Sequence, residues 1–191
     1  MKATTPRTDR HEAICDAVYD LLGEVGYDRM TMDAVAARAR ASKATIYRAW
    51  PAKPDLVMTA MIHRFGEPPT APDTGTLRGD LIAQLSNACA LASSPDGAIV
   101  AGLLTAASHN ADLSTVLRRC MYENKHSSYE VIIRRAVGRG EIPDGTDSDL
   151  LHEIMHALVL TRRMFDAGPL DDAFVTRIVD RVLLPVLRQG S

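Results

Sequence analysis

Aromatic side chains are scarce: three Phe, five Tyr and one Trp make up 5% of the 191 residues. With Ala and Leu abundant, that balance favours helices over sheets. There are three cysteines, Cys15, Cys89 and Cys120. They are odd in number and far apart, which argues against a disulfide framework or a cysteine-rich metal site and reads as reduced, mostly buried thiols. No run of eighteen apolar residues is present, so no segment is expected to span a membrane. The opening MKATTPRTDR is polar and lacks the apolar stretch of a secretory leader, which points to the cytoplasm. Charge of one sign is also missing. The net charge of −2 excludes a general polyanion binder. No internal repeat or low-complexity tract is visible.

Apolar residues form 46% of the chain, enough for a proper core. Charge is distributed unevenly. Residues 1–66 carry 10 Lys/Arg against 8 Asp/Glu, whereas residues 67–191 carry 12 against 16. The first part is therefore the more suited to a polyanion.

Within it, residues 31–53, TMDAVAARARASKATIYRAWPAK, stand out. Thr31 and Asp33 sit where an N-cap and a first-turn acid belong. Val35, Ala36 and Ala39 give a first short helix its apolar stripe. Ser42 offers a second N-cap for a helix over 43–49, whose Ile46 and Trp50 turn inward together. Lys43, Ala44, Thr45, Tyr47 and Arg48 are left facing outward, and Pro51 stops the helix. The outward set suits DNA. Lys and Arg reach guanine edges or phosphates, hydroxyls bind phosphate oxygens, and an Ala or Thr methyl touches a thymine methyl. Two short helices of which the second reads bases form a helix-turn-helix. A plain helical hairpin in an all-α core is the alternative, but it gives no reason to gather Lys43, Thr45, Tyr47 and Arg48 on one exposed face.

Thr31, Val35-Ala36, Ala39, Ala41-Ser42, Thr45-Ile46-Tyr47, Trp50 and Lys53 together resemble the N-terminal signature of the TetR family of transcriptional repressors. The resemblance implies an all-α fold, with an N-terminal three-helix DNA-binding domain and a helical-bundle C-terminal domain that binds ligand and dimerises. It places the helix-turn-helix over residues 31–50. DNA contact then falls to Thr31, Lys43, Ala44, Thr45, Tyr47, Arg48 and Lys53, with Lys43 and Arg48 as base readers and Thr31, Tyr47 and Lys53 on phosphates. It also implies a palindromic double-stranded operator, a small-molecule effector that releases it, no enzymatic activity and no cofactor. Arg40 departs from the pattern. Family members usually carry Gly there, at a C-cap that favours positive φ. It is the one hint of a helical module without DNA reading.

The clearest break in the chain is Gly66 with the EPPTAPDTG that follows. It suggests a DNA-binding domain over 8–66 and a regulatory and dimerisation domain over 67–191. Ahead of it, helices are expected over 8–25 and 52–65, the first ending at Gly26; residues 1–9 read as an arm, and Arg7 and Arg10 suit either phosphate or a minor groove or a merely solvated tail. Beyond it, helices are expected over 76–92, 97–108 (nearly all apolar, hence buried on most sides), 113–138, 147–166 and 171–187. The last two carry more apolar residues than one stripe needs: Leu150, Leu151, Ile154, Met155, Ala157, Leu158 and Leu160 on the first, and Val175, Ile178, Val179, Val182, Leu183, Leu184, Val186 and Leu187 on the second. Wide apolar faces of this kind fit a homodimer formed by the last two helices, as the family resemblance implies.

His152-Glu153-Ile154-Met155-His156 spells H-E-x-x-H, a zinc hydrolase motif when on a helix. The string fixes only three positions, and no third ligand lies at a peptidase-like offset beyond it. Two polar or interfacial histidines, with no metal, are the expectation. Cys89, His109, Met121, Tyr122, Tyr129, Met155, His156, Met164 and Phe165 are the candidate lining of an effector cavity, suited to a largely apolar molecule.

Overall fold

The computed structural model describes residues 6–66, 70–122, 128–165 and 168–189, with the side chains of 6–9, 121, 122 and 189 outside that description. The described elements are helices: α1 Pro6–Arg29, α2 Met32–Arg38, α3 Lys43–Ala49, α4 Lys53–Phe65, α5 Leu77–Ser93, α6 Pro95–Ala107, α7 Ala111–Tyr122, α8 Ser128–Gly138, α9 Ser148–Met164, α10 Asp172–Ile178 and α11 Leu184–Gln189. A π-helical turn, Val179–Leu183, joins the last two. No single described helix is long and apolar enough to cross a membrane.

The chain forms two compact units, one of residues 1–68 with 99–123, the other of 69–98 with 124–191. Residues 99–123 pack with the first unit, which the order of the sequence did not suggest.

In the first unit, α1 presents Ile14, Val18, Leu21 and Leu22 to a core shared with Val35 of α2, Ile46 of α3 and Leu56, Val57 and Ala60 of α4. Leu103, Ala106 and Leu113, from α6 and α7, complete it. Gly26 adopts φ 75° and interrupts α1, as its C-cap role predicted, and a last turn then carries the chain to Arg29. Thr31 caps α2 by accepting from the Ala34 N–H at 3.1 Å. The far end of α2 is closed by Arg40 at φ 50°, the only non-glycine residue at positive φ among those described. Ala41 N–H donates to the Ala36 carbonyl at 2.9 Å and Arg40 N–H to that of Ala37 at 3.3 Å, the paired bonds of a Schellman closure. Arginine makes the turn that glycine makes with less strain, at a cost of about 1 kcal/mol.

Lys53 ties this unit together. Its Nζ donates to the Tyr27 carbonyl at 2.8 Å and the Met30 carbonyl at 3.0 Å, and lies 4.0 Å from the centroid of the Tyr27 ring. These carbonyls end α1, where a cation also meets the negative pole of the helix. Burial lowers the Lys53 pKa from its usual range.

The second unit packs α5 (Leu77, Leu81, Leu85, Cys89) against α8 (Ile132, Ala136), α9 (Leu151, Met155) and the C-terminal helices (Val175, Val179, Leu183). Asp80 is fully buried. Its carboxylate accepts from the Thr74 N–H at 2.6 Å, the Thr74 hydroxyl at 2.8 Å and Arg139 Nη2 at 3.2 Å. Arg139 also donates to Glu141, whose carboxylate accepts the Leu77 N–H at 2.9 Å. A buried charge is tolerable only with such partners. Deeper in the unit, His152 stacks on Tyr129 at 4.8 Å between centroids and lies 4.1 Å from the His156 ring. The His156 Nδ1 pairs with the His152 carbonyl oxygen at 3.0 Å. Burial, reinforced by the neighbouring His156, pushes the His152 pKa down to about 4.

Two expectations are corrected. The helix foreseen over 113–138 is described as α7 and α8, which belong to different units, with 123–127 outside the description. On α6, Leu103 and Ala106 are buried while Ala98, Gly102 and Thr105 are exposed. Apolar composition alone does not say which sides find a partner, and small Ala and Gly positions tolerate solvent.

Two outcomes follow. Lys53→Met keeps the alkyl stem but leaves two helix-end carbonyls without their donor, and should lower the unfolding free energy by about 1–3 kcal/mol in urea titration. The second concerns acid. Because the folded state holds His152 neutral below the ordinary imidazole pKa near 6.5, the unfolded chain binds the extra proton. Stability is therefore lost as pH falls from about 6.5 towards about 4. His152→Phe should show a shallower decline over that window in thermal unfolding, and an unchanged slope would contradict the assignment.

Candidate nucleic-acid interface

The interface is built on α3, a helix of 7 residues. So short a helix is not stable alone and takes its order from packing. Ile46 is fully buried, and Trp50 is 7% exposed with its Nε1 donating to the Thr59 hydroxyl of α4 at 3.0 Å. Ser42 caps the start by accepting the Thr45 N–H at 3.1 Å. With the inner side fixed, Lys43, Ala44, Tyr47, Arg48 and Ala49 are exposed, and Thr45 is half-buried. Tyr47 leaves half of its surface open, at 51%. A tyrosine so exposed beside two cations fits an apolar and hydroxyl-bearing contact with a nucleic acid better than a core role.

The candidate residues differ in how far their polar groups are engaged. Lys43 forms an ion pair with Asp33 of α2 through side chains that are 65% and 50% exposed. Such a pair is weak in water. The Thr45 hydroxyl sits 2.8 Å from the Ser42 hydroxyl. Thr31 is exposed and serves as the α2 cap. Lys53, expected on phosphate, directs its ammonium at the carbonyls of Tyr27 and Met30. The sequence also gave no sign of the fork between Arg38 and Glu24, with bonds of 2.6 and 2.7 Å that join α2 to α1. Nor did it pair Asp33 with Lys43.

Beside this face, α1 and α3 border a groove of about 780 Å³ lined by Arg10, His11, Ile14, Thr45, Arg48, Ala49 and Trp50.

The candidate effector lining is divided between the two units. Cys89, Tyr129 and Met155 are buried in the core of the second unit, with His156 half-buried beside them. Met164 and Phe165, at the end of α9, are 57% and 76% exposed. His109 belongs to the first unit, exposed, with its Nε2 3.2 Å from an Asp28 carboxylate oxygen. The side chains of Met121 and Tyr122 lie outside the described residues. The two positions at the C-terminal end of a helix, and one in the turn between α6 and α7, escape the burial that their residue types suggest. Among the described residues, no group of three His, Cys, Asp or Glu side chains is placed to hold a metal ion.

Comparison with known proteins places this geometry. The model described as bacterial regulatory proteins, tetR family, matches residues 14–59, and that described as tetracyclin repressor-like, C-terminal domain, matches 71–182. A DNA-binding transcriptional repressor TetR of Mycobacteroides abscessus is 39% identical over 183 residues, covering 95% of this chain and 96% of the relative. An uncharacterised HTH-type transcriptional regulator of Mycobacterium tuberculosis is 34% identical over 187 residues, covering 98% and 92%. The crystal structure of a TetR family transcription regulator superposes with a TM-score of 0.71 at 31% identity, covering 93% of this chain and 97% of that one. FadR from Bacillus subtilis, solved in complex with stearoyl-CoA, shares the fold at a TM-score of 0.58 and 21% identity, over 94% and 98% of the two chains. With both halves matched and the fold shared along nearly its whole length, the chain is a DNA-binding transcriptional regulator and belongs to the TetR family.

Proposed function

We propose that the protein is a transcriptional repressor that reads a palindromic operator as a homodimer and is released by a small, largely apolar effector. The observation that carries the DNA-reading part is the outer side of α3, where Lys43, Ala44, Tyr47 and Arg48 stand exposed around the half-buried Thr45 on a helix pinned from behind by Ile46 and Trp50. In this reading Lys43 and Arg48 contact base edges, Ala44 and Thr45 make the close approach, and Thr31 and Tyr47 fix register on phosphates. Lys53 acts indirectly, by holding the end of α1. Repression is supported by the name of the Mycobacteroides abscessus relative.

Dimerisation is supported by α9, where Leu150 is 45%, Met164 57% and Phe165 76% exposed, with Ala157 open between them. Val186 of α11 is 44% exposed. Apolar surface at helical spacing calls for a partner, and a second copy about a two-fold axis pairs two reading helices with two half-sites. The effector is supported by the stearoyl-CoA complex of FadR and by Cys89, Tyr129, Met155 and His156, which offer an apolar surround with few polar groups. To act, it must bind the DNA-free state more tightly than the DNA-bound one.

Selection from random duplexes, followed by fluorescence anisotropy over a salt series, tests the reading. One short palindrome bound far above random duplex is expected; equal binding to both would sink it. Arg48→Ala should cost about 1–3 kcal/mol on the selected site and relax preference at one position. Equal losses on selected and random DNA would contradict a base-reading role. Ala157→Glu, placed on the exposed side of α9, should weaken self-association at least about tenfold, or 1.4 kcal/mol, in sedimentation equilibrium while leaving the melting temperature of the monomer intact.

A further inference from the structure

The groove between α1 and α3 joins an apolar lining to a cationic one. Its floor is apolar, made by Ile14, Ala49 and Trp50, and its polar lining consists of Arg10, His11, Thr45 and Arg48, without a carboxylate. Glu12 and Asp16 follow on α1, but neither lines it. Thr45 and Arg48 belong to both the groove and the exposed side of α3, so the groove continues the proposed reading face rather than forming a separate pocket.

The chemistry of such a surface is specific. An apolar floor accepts the carbon face of a sugar, and a cationic rim without acids accepts a phosphodiester. His11 sits over the floor with its ring 5.4 Å from Trp50 and 6.3 Å from His63. Its Nδ1 lies 3.7 Å from the Cys15 sulfur. Burial, aided by Asp16 and Glu12, pushes the Cys15 thiol up to about 11, so the sulfur keeps its proton and can donate to Nδ1. In the tautomer whose Nδ1 accepts from the thiol, the imidazole hydrogen is on Nε2, which is left to donate to an anion.

We propose that this groove seats one sugar–phosphate of the DNA strand that flanks the bases read by α3, with Arg10 pairing the phosphate and His11 Nε2–H donating to it. The proposal rests on the reading of α3 as the DNA-facing helix, and it adds α1 to the interface. The seat is indifferent to sequence, because every nucleotide presents the same sugar and phosphate. It supplies affinity and register, while Arg48 on its border serves the base edges.

Each phosphate neutralised lowers the slope of log K against log salt by about 0.9. Anisotropy titrations of the full chain against its selected palindrome and against random duplex, from low to moderate KCl, read this directly. Arg10→Ala should weaken both duplexes by the same factor and reduce the magnitude of the slope by about 0.9 for each groove occupied. His11→Phe keeps the ring against Trp50 and removes the donor. It should weaken both duplexes alike while leaving the melting temperature and the Arg48-dependent preference unchanged. Wild-type binding with an unaltered slope in Arg10→Ala would overturn the seat alone. A wild-type protein without salt-dependent duplex binding would overturn the α3 interface and the seat with it. Loss confined to the palindrome, with random duplex unaffected, would also overturn it, since that pattern belongs to a base contact.

Discussion

The burial of Ile46 and Trp50 is the constraint on which the DNA-facing part depends. A helix of seven residues gains too little from its own hydrogen bonds to persist. What holds it is the insertion of one aliphatic and one aromatic side chain into the core made by α1, α2 and α4, with the indole N–H satisfied by Thr59. That arrangement also sets the rotation of the helix. Turning Ile46 and Trp50 inward leaves only one set of residues for the outside, and the composition of that set decides what can be recognised. Binding chemistry here is the complement of core packing.

Cations in this unit divide into those that build it and those that remain for a partner. Lys53 closes the end of α1 through backbone carbonyls. Arg38 forks onto Glu24. Arg10 and Arg48 border the open groove instead. Lys43 stands between the classes, since its partner Asp33 is itself exposed and water screens the pair. A positive count over residues 1–66 therefore overstates the charge available to a polyanion. Location of the charged atom, not residue type, assigns the role.

This explains how much was legible beforehand. The start and end of α2 and α3 were, because Thr31 and Ser42 cap with their own hydroxyls and Ile46 and Trp50 repeat at helical spacing. Arg40 marked a strained turn, and the backbone does adopt positive φ there. The family followed from the same residues. The partner of Lys53 was not legible, since Tyr27 and Met30 offer it main-chain atoms that carry no sequence signature. Nor was the packing of residues 99–123 with the first unit, which depends on contacts remote in sequence. His109, Met164 and Phe165 are exposed for a related reason: an apolar or aromatic type says that burial is favourable, whereas a position at a helix end or in a turn decides whether a neighbour is within reach.

The wide turn at Val179–Leu183 carries a consequence for the C-terminal end of the chain. An α-helix advances about 100° per residue, and a π turn holds back nearly one residue's worth of that rotation. Phe174, Val175, Ile178 and Val179 face the core before the turn, and Leu183, Leu184 and Leu187 face it after. In an uninterrupted α-helix the second group would have drifted round towards solvent. The turn acts as a phase correction, bringing two apolar stripes of different register onto one side. Inward and outward sets at this end are thus fixed by one extra residue in the winding, and deleting one residue there would return a regular helix with Leu184 and Leu187 still turned inward.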